Sequence, residues 1–500
     1  MVLNFLSIKT GQYHPAYAVA YNNRGNVYRN LGQYQQAIAD SDKAIELDPA
    51  LAPAYSNRGL AYSALGQYQQ AIADYSKVIE LDPTNANAYN NRGYAYTNLE
   101  QYQQAIADFN KAIELDPANA AAYSNRGGVY RNLRQQQEMI ADFDKAVELN
   151  PTDATNYINR GYVFAELGQY QQAIANFDIA IDFDPNSVVA YYNRGHAHSS
   201  LGRYQQAIVD FNKAIELDPA LAAAYTVRGI AYHRLKQYQQ AVVDFDKAIE
   251  LDPADAVAYN NRGKTYAELE QYDRAIADFD KSIELDPTDA IFYNSRGYVY
   301  ARLGQFQQAI ADIAKTIELN PTDADAYAIR GRLFYMLKQY HEAIADYDKA
   351  IELDPASAVA YNNRGDAFSD LGEYQQAIAD FDKAIELAPF FADAYNNRGN
   401  AYHQLDQYER AIADFNEAIE LDPADLDTYY NRGIVYVKLR QYQQAIADFD
   451  KAIELDPNDA TAYYVRGLVY ELLGENAKAQ ASFRKAYELG LEQAGERLRP

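Results

Sequence analysis

The sequence predicts an all-α array of stacked helix pairs, and three observations predict it. Tyrosine recurs fourteen times at 34-residue intervals, from Tyr21, Tyr55 and Tyr89 to Tyr463, and Arg-Gly follows three residues after each one. Proline keeps the same interval from Pro15 through Pro49 and Pro83 to Pro457. Within each interval the apolar residues fall three and four apart, the spacing of helix faces. A sustained period of this length in 500 residues marks a repeat array, and it overrides the expectation of three or four globular domains.

Residues 86–119, ANAYNNRGYAYTNLEQYQQAIADFNKAIELDPAN, represent one unit. In its first half Tyr89, Gly93, Tyr96 and Leu99 share a helix face, and in its second half Ala105, Ile106, Phe109, Ala112 and Ile113 share another. About half the units place glycine between the two helices, as in Leu31-Gly32-Gln33-Tyr34, where it suits a left-handed C-terminal cap. Pro117 and its equivalents end the second helix. Gly93 has a counterpart in all fourteen units although glycine costs a helix about 1 kcal/mol relative to alanine. Close approach of the two backbones is the expected reason, with Ala105 and Ala112 letting the helices close while Phe109 and Tyr96 fill the space around them. Neither helix can bury its stripe alone, so stability is expected to come from stacked neighbours.

The order Tyr89, Gly93, Tyr96, Ala105, Phe109, Ala112, Pro117 resembles that of the tetratricopeptide repeat family, and the resemblance covers residues 18–493 in fourteen copies. It implies an α-solenoid of antiparallel helix pairs stacked into a right-handed superhelix, with first helices lining a concave groove and second helices forming the convex side. Residues 1–17 are then an N-terminal segment or partial capping unit, 18–493 the repeats, and 494–500 a capping tail. Residues 488–498 are expected to continue as a capping helix. Met1 to Tyr13 do not reproduce the preceding helix pattern and are expected to form a shortened cap.

The residue before glycine, often leucine in that family, is arginine in every unit here. Aspartate equivalent to Asp108 occurs in twelve of fourteen units, with Asn176 and Ser482 as exceptions. Arginine stems are therefore expected to pack while their guanidinium groups pair with these aspartates; a column of groove cations is the alternative. Asp108 and Lys111 are expected to form a solvated pair on one helix face.

Two residues before glycine runs an asparagine column: Asn23, Asn57, Asn91, Asn125, Asn159, Asn193, Asn261, Asn363, Asn397 and Asn431. An amide offers both donor and acceptor, so asparagines at repeat spacing can grip the backbone of an extended peptide without reading its side chains. The column resembles the asparagine ladder of the O-linked N-acetylglucosamine transferase superhelix at those ten positions. The alternative is that the amides bond inside the fold and set repeat geometry. Val227, Ser295, Ile329 and Val465 interrupt the column, so the run from Asn23 to Asn193 predicts the stronger groove in the first six repeats. Asn22, Asn90, Tyr192, Asn260, Asn294, Asn362, Asn396, Tyr430 and Tyr464 are expected to line the same groove. Specificity is assigned to residues that vary between units, namely Arg29, Arg131, His233, Arg234, Tyr335 and His403. Some family members clamp chaperone carboxylate tails with lysines, but Asn22, Asn90, Pro53 and Asn87 stand at those positions, which disfavours that ligand.

A formal charge of -25 argues against nucleic acid, which needs a basic stripe, and disfavours anionic membrane. No segment has the length and hydropathy of a membrane span, and no basic start precedes an apolar run in Met1 to Thr10. Absence of cysteine leaves no thiol chemistry. His196 and His198 stand two apart on a helix and point to different faces, so no metal or other cofactor is expected. The carboxylates repeat identically from unit to unit, as a solvated surface does, and no nucleophile motif or phosphate loop emerges. The expectation is a monomeric, cytoplasmic, non-enzymatic scaffold whose partners are proteins bound through extended segments. The competing readings are a recruiting subunit of a larger enzyme and a self-associating structural protein.

Two features are irregular. Repeat four carries Gln136 for Tyr102 and Met139 for the small Ala105, which makes residues 120–153 a candidate hinge; repeat nine carries Ile313 and Thr316 for Phe109 and Ala112. Phe390-Phe391, after Pro389, stands as a candidate contact for a partner.

Overall fold

The computed structural model describes residues 15–498, so the expected cap over Met1 to Tyr13 lies outside the described residues. The described residues form 29 α-helices and no strand. Two compact units divide the chain, residues 1–253 and 254–500, and the division falls at a proline turn inside repeat seven. In the first unit, helix pairs run in tandem from Pro15–Asn30 and Tyr34–Leu47 onward, ending with Tyr238–Leu251; in the second they run from Ala256–Glu268 and Tyr272–Leu285 to Ala460–Leu472 and Asn476–Glu488. Within each unit a helix packs on its partner and on the next repeat, and most neighbouring first helices also touch one another, so first helices share a face.

The turn between the helices of a pair has one geometry in all fourteen repeats. Gly32 sits at φ 73°, its N–H donates to Arg29 O, and the next N–H, of Gln33, reaches back to Tyr28 O. These are the paired bonds of a Schellman cap. Seven turns use glycine; Glu100, Arg134, Lys236, Glu270, Lys338, Asp406 and Arg440 occupy the left-handed position in the other seven. Between repeats, Asp116 follows the second helix with an extended backbone and its carboxylate accepts from Ala118 N. Asn119 then caps the next helix by accepting from Ala122 N. The tyrosine and proline periods meet here, because Tyr55 and Tyr157 donate their hydroxyls to the carbonyls of Pro49 and Pro151.

Glycine admits a close backbone, since a Cβ on Gly263 would lie 3.1 Å from Ala275 O and one on Gly331 3.2 Å from Ala343 O, and in most repeats it admits a ring still closer. A Cβ on Gly93 would lie 2.8 Å from Cε1 of Phe109, and one on Gly195 only 2.5 Å from Cε1 of Phe211. In most repeats a ring of the second helix is thus the nearest neighbour of the glycine, and the alanines at the Ala105 position approach it with their carbonyl oxygens, as at Gly25, Gly263 and Gly331. Ala88, Ala95, Ala105 and Ala112 are fully buried between neighbouring helices, where their small volume sets the spacing. Where repeat four carries Met139, the same Cβ on Gly127 would clear Phe143 by 3.2 Å, and Met139 is buried against Phe143 and Val163. In repeat nine, Ile313 takes the ring's place over Gly297, and Thr316 returns its hydroxyl to Asp312 O.

At the C-terminus the expected continuous helix is broken. Helix Asn476–Glu488 stops, Gly490 turns at φ 98°, and a five-residue helix, Glu492–Glu496, folds back to bury Ala494 against Phe483 and Ala486. Gly490 stands where most other junctions carry aspartate, and its positive φ redirects the chain where an extended residue would continue the array.

Candidate functional site

The arginine column is structural. Arg92 Nε and Nη2 donate to the two oxygens of Asp108 at 2.7 and 2.8 Å, a bidentate bridge between the helices of one repeat. Its remaining Nη1 reaches Ser76 of the preceding repeat, as Arg194 Nη1 reaches Asp178 and Arg398 Nη1 reaches Asp382. Each guanidinium also lies over the tyrosine three residues before it, Arg92 over Tyr89 at 5.7 Å. The sequence indicated the pairing with Asp108 but not the second bond, which needs the distance between neighbouring repeats. Lys111 does not join Asp108; it pairs with Glu114, and the aspartate is taken by arginine. Burial outweighs the guanidinium at Asp74, Asp414 and Asp448, holding these carboxyls above the usual range.

The ten asparagines all stand on first helices, nine half-buried and Asn23 exposed. Asn57 Nδ2 donates to Asn22 Oδ1 of the preceding repeat, and Asn125 to Asn90, Asn397 to Asn362 and Asn431 to Asn396 repeat the link. Asn159 donates to Ser124. Asn193 and Asn261 donate to carbonyls of their own helices, those of Val189 and Val257. Asn91 accepts from Asn90. Asn363 makes no hydrogen bond. Of the residues expected beside them in the groove, Asn22, Asn90, Asn260 and Asn362 are buried, Asn294 is exposed, and Tyr192, Asn396 and Tyr464 are half-buried. The outward position is the residue after glycine, where Tyr94, Tyr162 and Tyr298 are exposed.

Within the second unit a cleft of about 510 Å³ opens across the first helices of repeats ten, eleven and twelve, Ala324–Met336, Ala358–Asp370 and Ala392–Gln404. Tyr335, Met336, Tyr347, Asn363, Asp366 and Phe391 are among its walls. A second hollow of about 280 Å³ shares Tyr335, Asp366 and Asn397 with it and is also lined by Ser369, whose buried hydroxyl has no partner. Asp366 is the carboxylate between them. Burial, then Asp370 and Asp393, push its carboxyl up to about 7. Burial and the facing Asp370 raise the Tyr335 phenol. This cleft lies outside the Asn23–Asn193 run on which sequence reasoning placed the stronger groove.

Of the other variable residues, Arg29 bonds Asn26, Arg131 lies 5.0 Å over the Tyr162 ring, and His403 packs on Tyr408. Burial lowers the His198 pKa, and His196 stacks edge-on against Tyr192 and Phe211. Among the described residues no group of three or more His, Cys, Asp or Glu is placed to hold a metal, and no helix is long and apolar enough to cross a membrane. Asp366 escaped sequence reasoning although a signal exists: it is the one acidic residue among the fourteen that follow the repeat glycine.

Comparison with known proteins places these repeats. A model described as TPR repeat matches residues 25–66, 161–202, 331–372, 365–406 and 399–440. Models described as tetratricopeptide repeat match 52–85, 86–119, 188–221, 222–255 and 426–459, then 263–334, and then 109–141, 143–175, 245–277 and 449–481. No curated protein matches the chain. Among solved structures, the Cut9-Hcn1 hetero-tetramer of the APC/C is similar at 16% identity and a TM-score of 0.45, over 91% of this chain and 96% of that one. YrrB, titled a TPR protein with an unusual peptide-binding site, is similar at 27% identity and a TM-score of 0.32, over 37% of this chain and 95% of its own. With family models matching its repeats from residue 25 to residue 481, the chain belongs to the tetratricopeptide repeat family.

Proposed function

We propose that the chain is a non-enzymatic interaction scaffold that holds extended segments of partner proteins along the face made by its first helices. The supporting observation is the state of the asparagine column. Asn57, Asn125, Asn397 and Asn431 spend a donor on the preceding repeat, which fixes the amide and leaves its carbonyl oxygen to accept from a ligand. Asn363 has both groups free beside the cleft. Fixed acceptors at repeat intervals suit the N–H groups of an extended chain, and prior fixation lowers the ordering cost of binding. The acidic charge fits protein partners better than nucleic acid and favours a solitary chain.

Selection from a displayed peptide library against the whole chain, followed by hydrogen exchange with a selected peptide, tests this reading. Protection should concentrate on first helices, and Asn363→Ala should weaken binding without loss of helicity. That variant is cleaner than Asn57→Ala or Asn125→Ala, which strip a partner from the buried Asn22 or Asn90. Protection confined to second helices would overturn the proposal.

A further inference from the structure

The cleft across repeats ten to twelve departs from most of the array at four residues, Tyr347, Asp366, Ala388 and Phe391, that converge on one ligand chemistry. Tyr347 stands where ten of the fourteen repeats carry phenylalanine, and it is buried to 1% exposure. Its hydroxyl has no hydrogen-bond partner, although the side chain lines the cleft. The comparable Tyr75 meets Ser63 Oγ at 3.3 Å; the residue equivalent to Ser63 in repeat ten is Tyr335. Asp366 is likewise without an ion pair, and Arg332, exposed at the rim, makes none with it. Finally, the turn into repeat twelve gives up two local bonds. Ala388 replaces the aspartate or asparagine of the other twelve proline junctions, and Phe391 stands where ten junctions carry a capping side chain and two, at Leu51 and Leu221, carry leucine, so the turn loses an acceptor and the helix lacks a cap while an aromatic wall is gained. Local rules broken together at one place mark a functional constraint.

We propose that this cleft is a subsite for a basic side chain of a bound peptide, with the Asp366 carboxylate and the Tyr347 hydroxyl accepting from its guanidinium or ammonium group and the Tyr335 and Phe391 rings flanking its stem. The proposal rests on the peptide-binding reading above and gives it a specificity. The groups facing Asp366 are Tyr335, Tyr347 and Arg332 from repeat ten, Asp370 on its own helix and Asp393 from repeat twelve, three carboxylates in all against one guanidinium. An anionic or apolar side chain would leave Asp366 and Tyr347 without a partner; a cation satisfies both. Because the free carboxyl titrates near about 7 and a cation requires it ionised, the preference should weaken about tenfold between pH 8 and pH 6.

The test uses the whole chain and short labelled Ser/Ala peptides with one central arginine, alanine or glutamate, followed by fluorescence anisotropy. The arginine peptide should bind about tenfold or more tighter than the alanine peptide near pH 8. Asp366→Asn should erase that preference, and Tyr347→Phe, the residue of most other repeats, should cut it several-fold. Equal binding of the three peptides, or a preference that survives Asp366→Asn, overturns the proposal. If no peptide binds, the groove reading fails, and N-acetylarginine methylamide decides the subsite by itself. Saturation transfer from wild type but not from Asp366→Asn to its side chain sustains the subsite, and none from wild type overturns it.

Discussion

Replacing Gly195 by alanine should destabilise its repeat, although alanine is the better helix former. Alanine in a helix interior gains about 1 kcal/mol over glycine. Against this, the new Cβ would sit 2.5, 2.8 and 3.0 Å from Cε1, Cδ1 and Cζ of Phe211. That ring is fully buried, with His196 edge-on at 5.7 Å and Tyr192 at 6.2 Å, so it cannot swing aside without disturbing them. Overpacking of this kind costs about 1–3 kcal/mol, so the net loss is up to about 2 kcal/mol. Two neighbouring glycines in repeat four serve as controls. A Cβ on Gly128 meets nothing within 4 Å, so Gly128→Ala should stabilise by about 1 kcal/mol. Gly127→Ala, with Phe143 at 3.2 Å, should fall between the two. Repeat arrays do not unfold as one two-state unit, so local hydrogen exchange of each helix pair is the suitable assay. The order of protection should be Gly128→Ala above wild type, Gly127→Ala near it, and Gly195→Ala below it. A gain at Gly195 equal to that at Gly128 would refute the claim that the ring enforces glycine.

Three further outcomes follow from the same geometry. Arg92→Met leaves Asp108 buried without its bidentate partner and should cost about 3–5 kcal/mol in local exchange, whereas Asp108→Asn should cost about 1 kcal/mol or less, since Arg160 already bonds Asn176 Oδ1 at 2.6 Å in repeat five. Phe391→Asp should restore a cap to helix Ala392–Gln404, adding about 1 kcal/mol of protection there while weakening peptide binding at the cleft. The third concerns pH: the folded Asp366 keeps its proton up to about 7, whereas the unfolded chain loses it near 3.8. The folded state therefore binds the extra proton between these values, and stability falls as pH rises through that window, by at most about 4 kcal/mol. Asp366→Asn should match wild type at acid pH and exceed it in protection of helix Ala358–Asp370 near pH 8; an identical pH response would contradict the burial of that carboxyl.

The fold was legible because its determinants are local and repeated. Tyr89, Gly93, Phe109 and Pro117 announce helix, turn and pairing by spacing alone, and aspartate at position 108 in step with arginine at 92 announces their bridge. What resisted was the identity of the group across each contact. Spacing suggests that glycine admits a backbone, and only packing reveals a ring. It also cannot separate Asn22, buried between first helices, from Asn23 on their surface, because adjacent residues differ by about 100° on a helix. The cleft resisted for another reason: repetition draws attention to columns, while Asp366 and Tyr347 matter by departing from theirs. Tyr335 and Phe390-Phe391 were visible as irregular, but that Tyr335 and Phe391 border one hollow, with Phe390 left 85% exposed beside it, follows only from the stacking of three repeats.

The second bond of the arginines makes a chain of clasps within each unit, all but one of the repeats that follow another there being fastened to the one before. Arg58, Arg92, Arg126, Arg160, Arg194 and Arg228 all close theirs in the first unit. In the second unit Arg330 has nothing to close on, because Ala314 stands where Asp280, Asp348 and Asp382 serve its counterparts. A pull on the ends of that unit would part repeats nine and ten before their neighbours, and the unfastened joint borders the repeat that supplies Tyr335 and Tyr347. Tension on the array would reach the cleft from that side first.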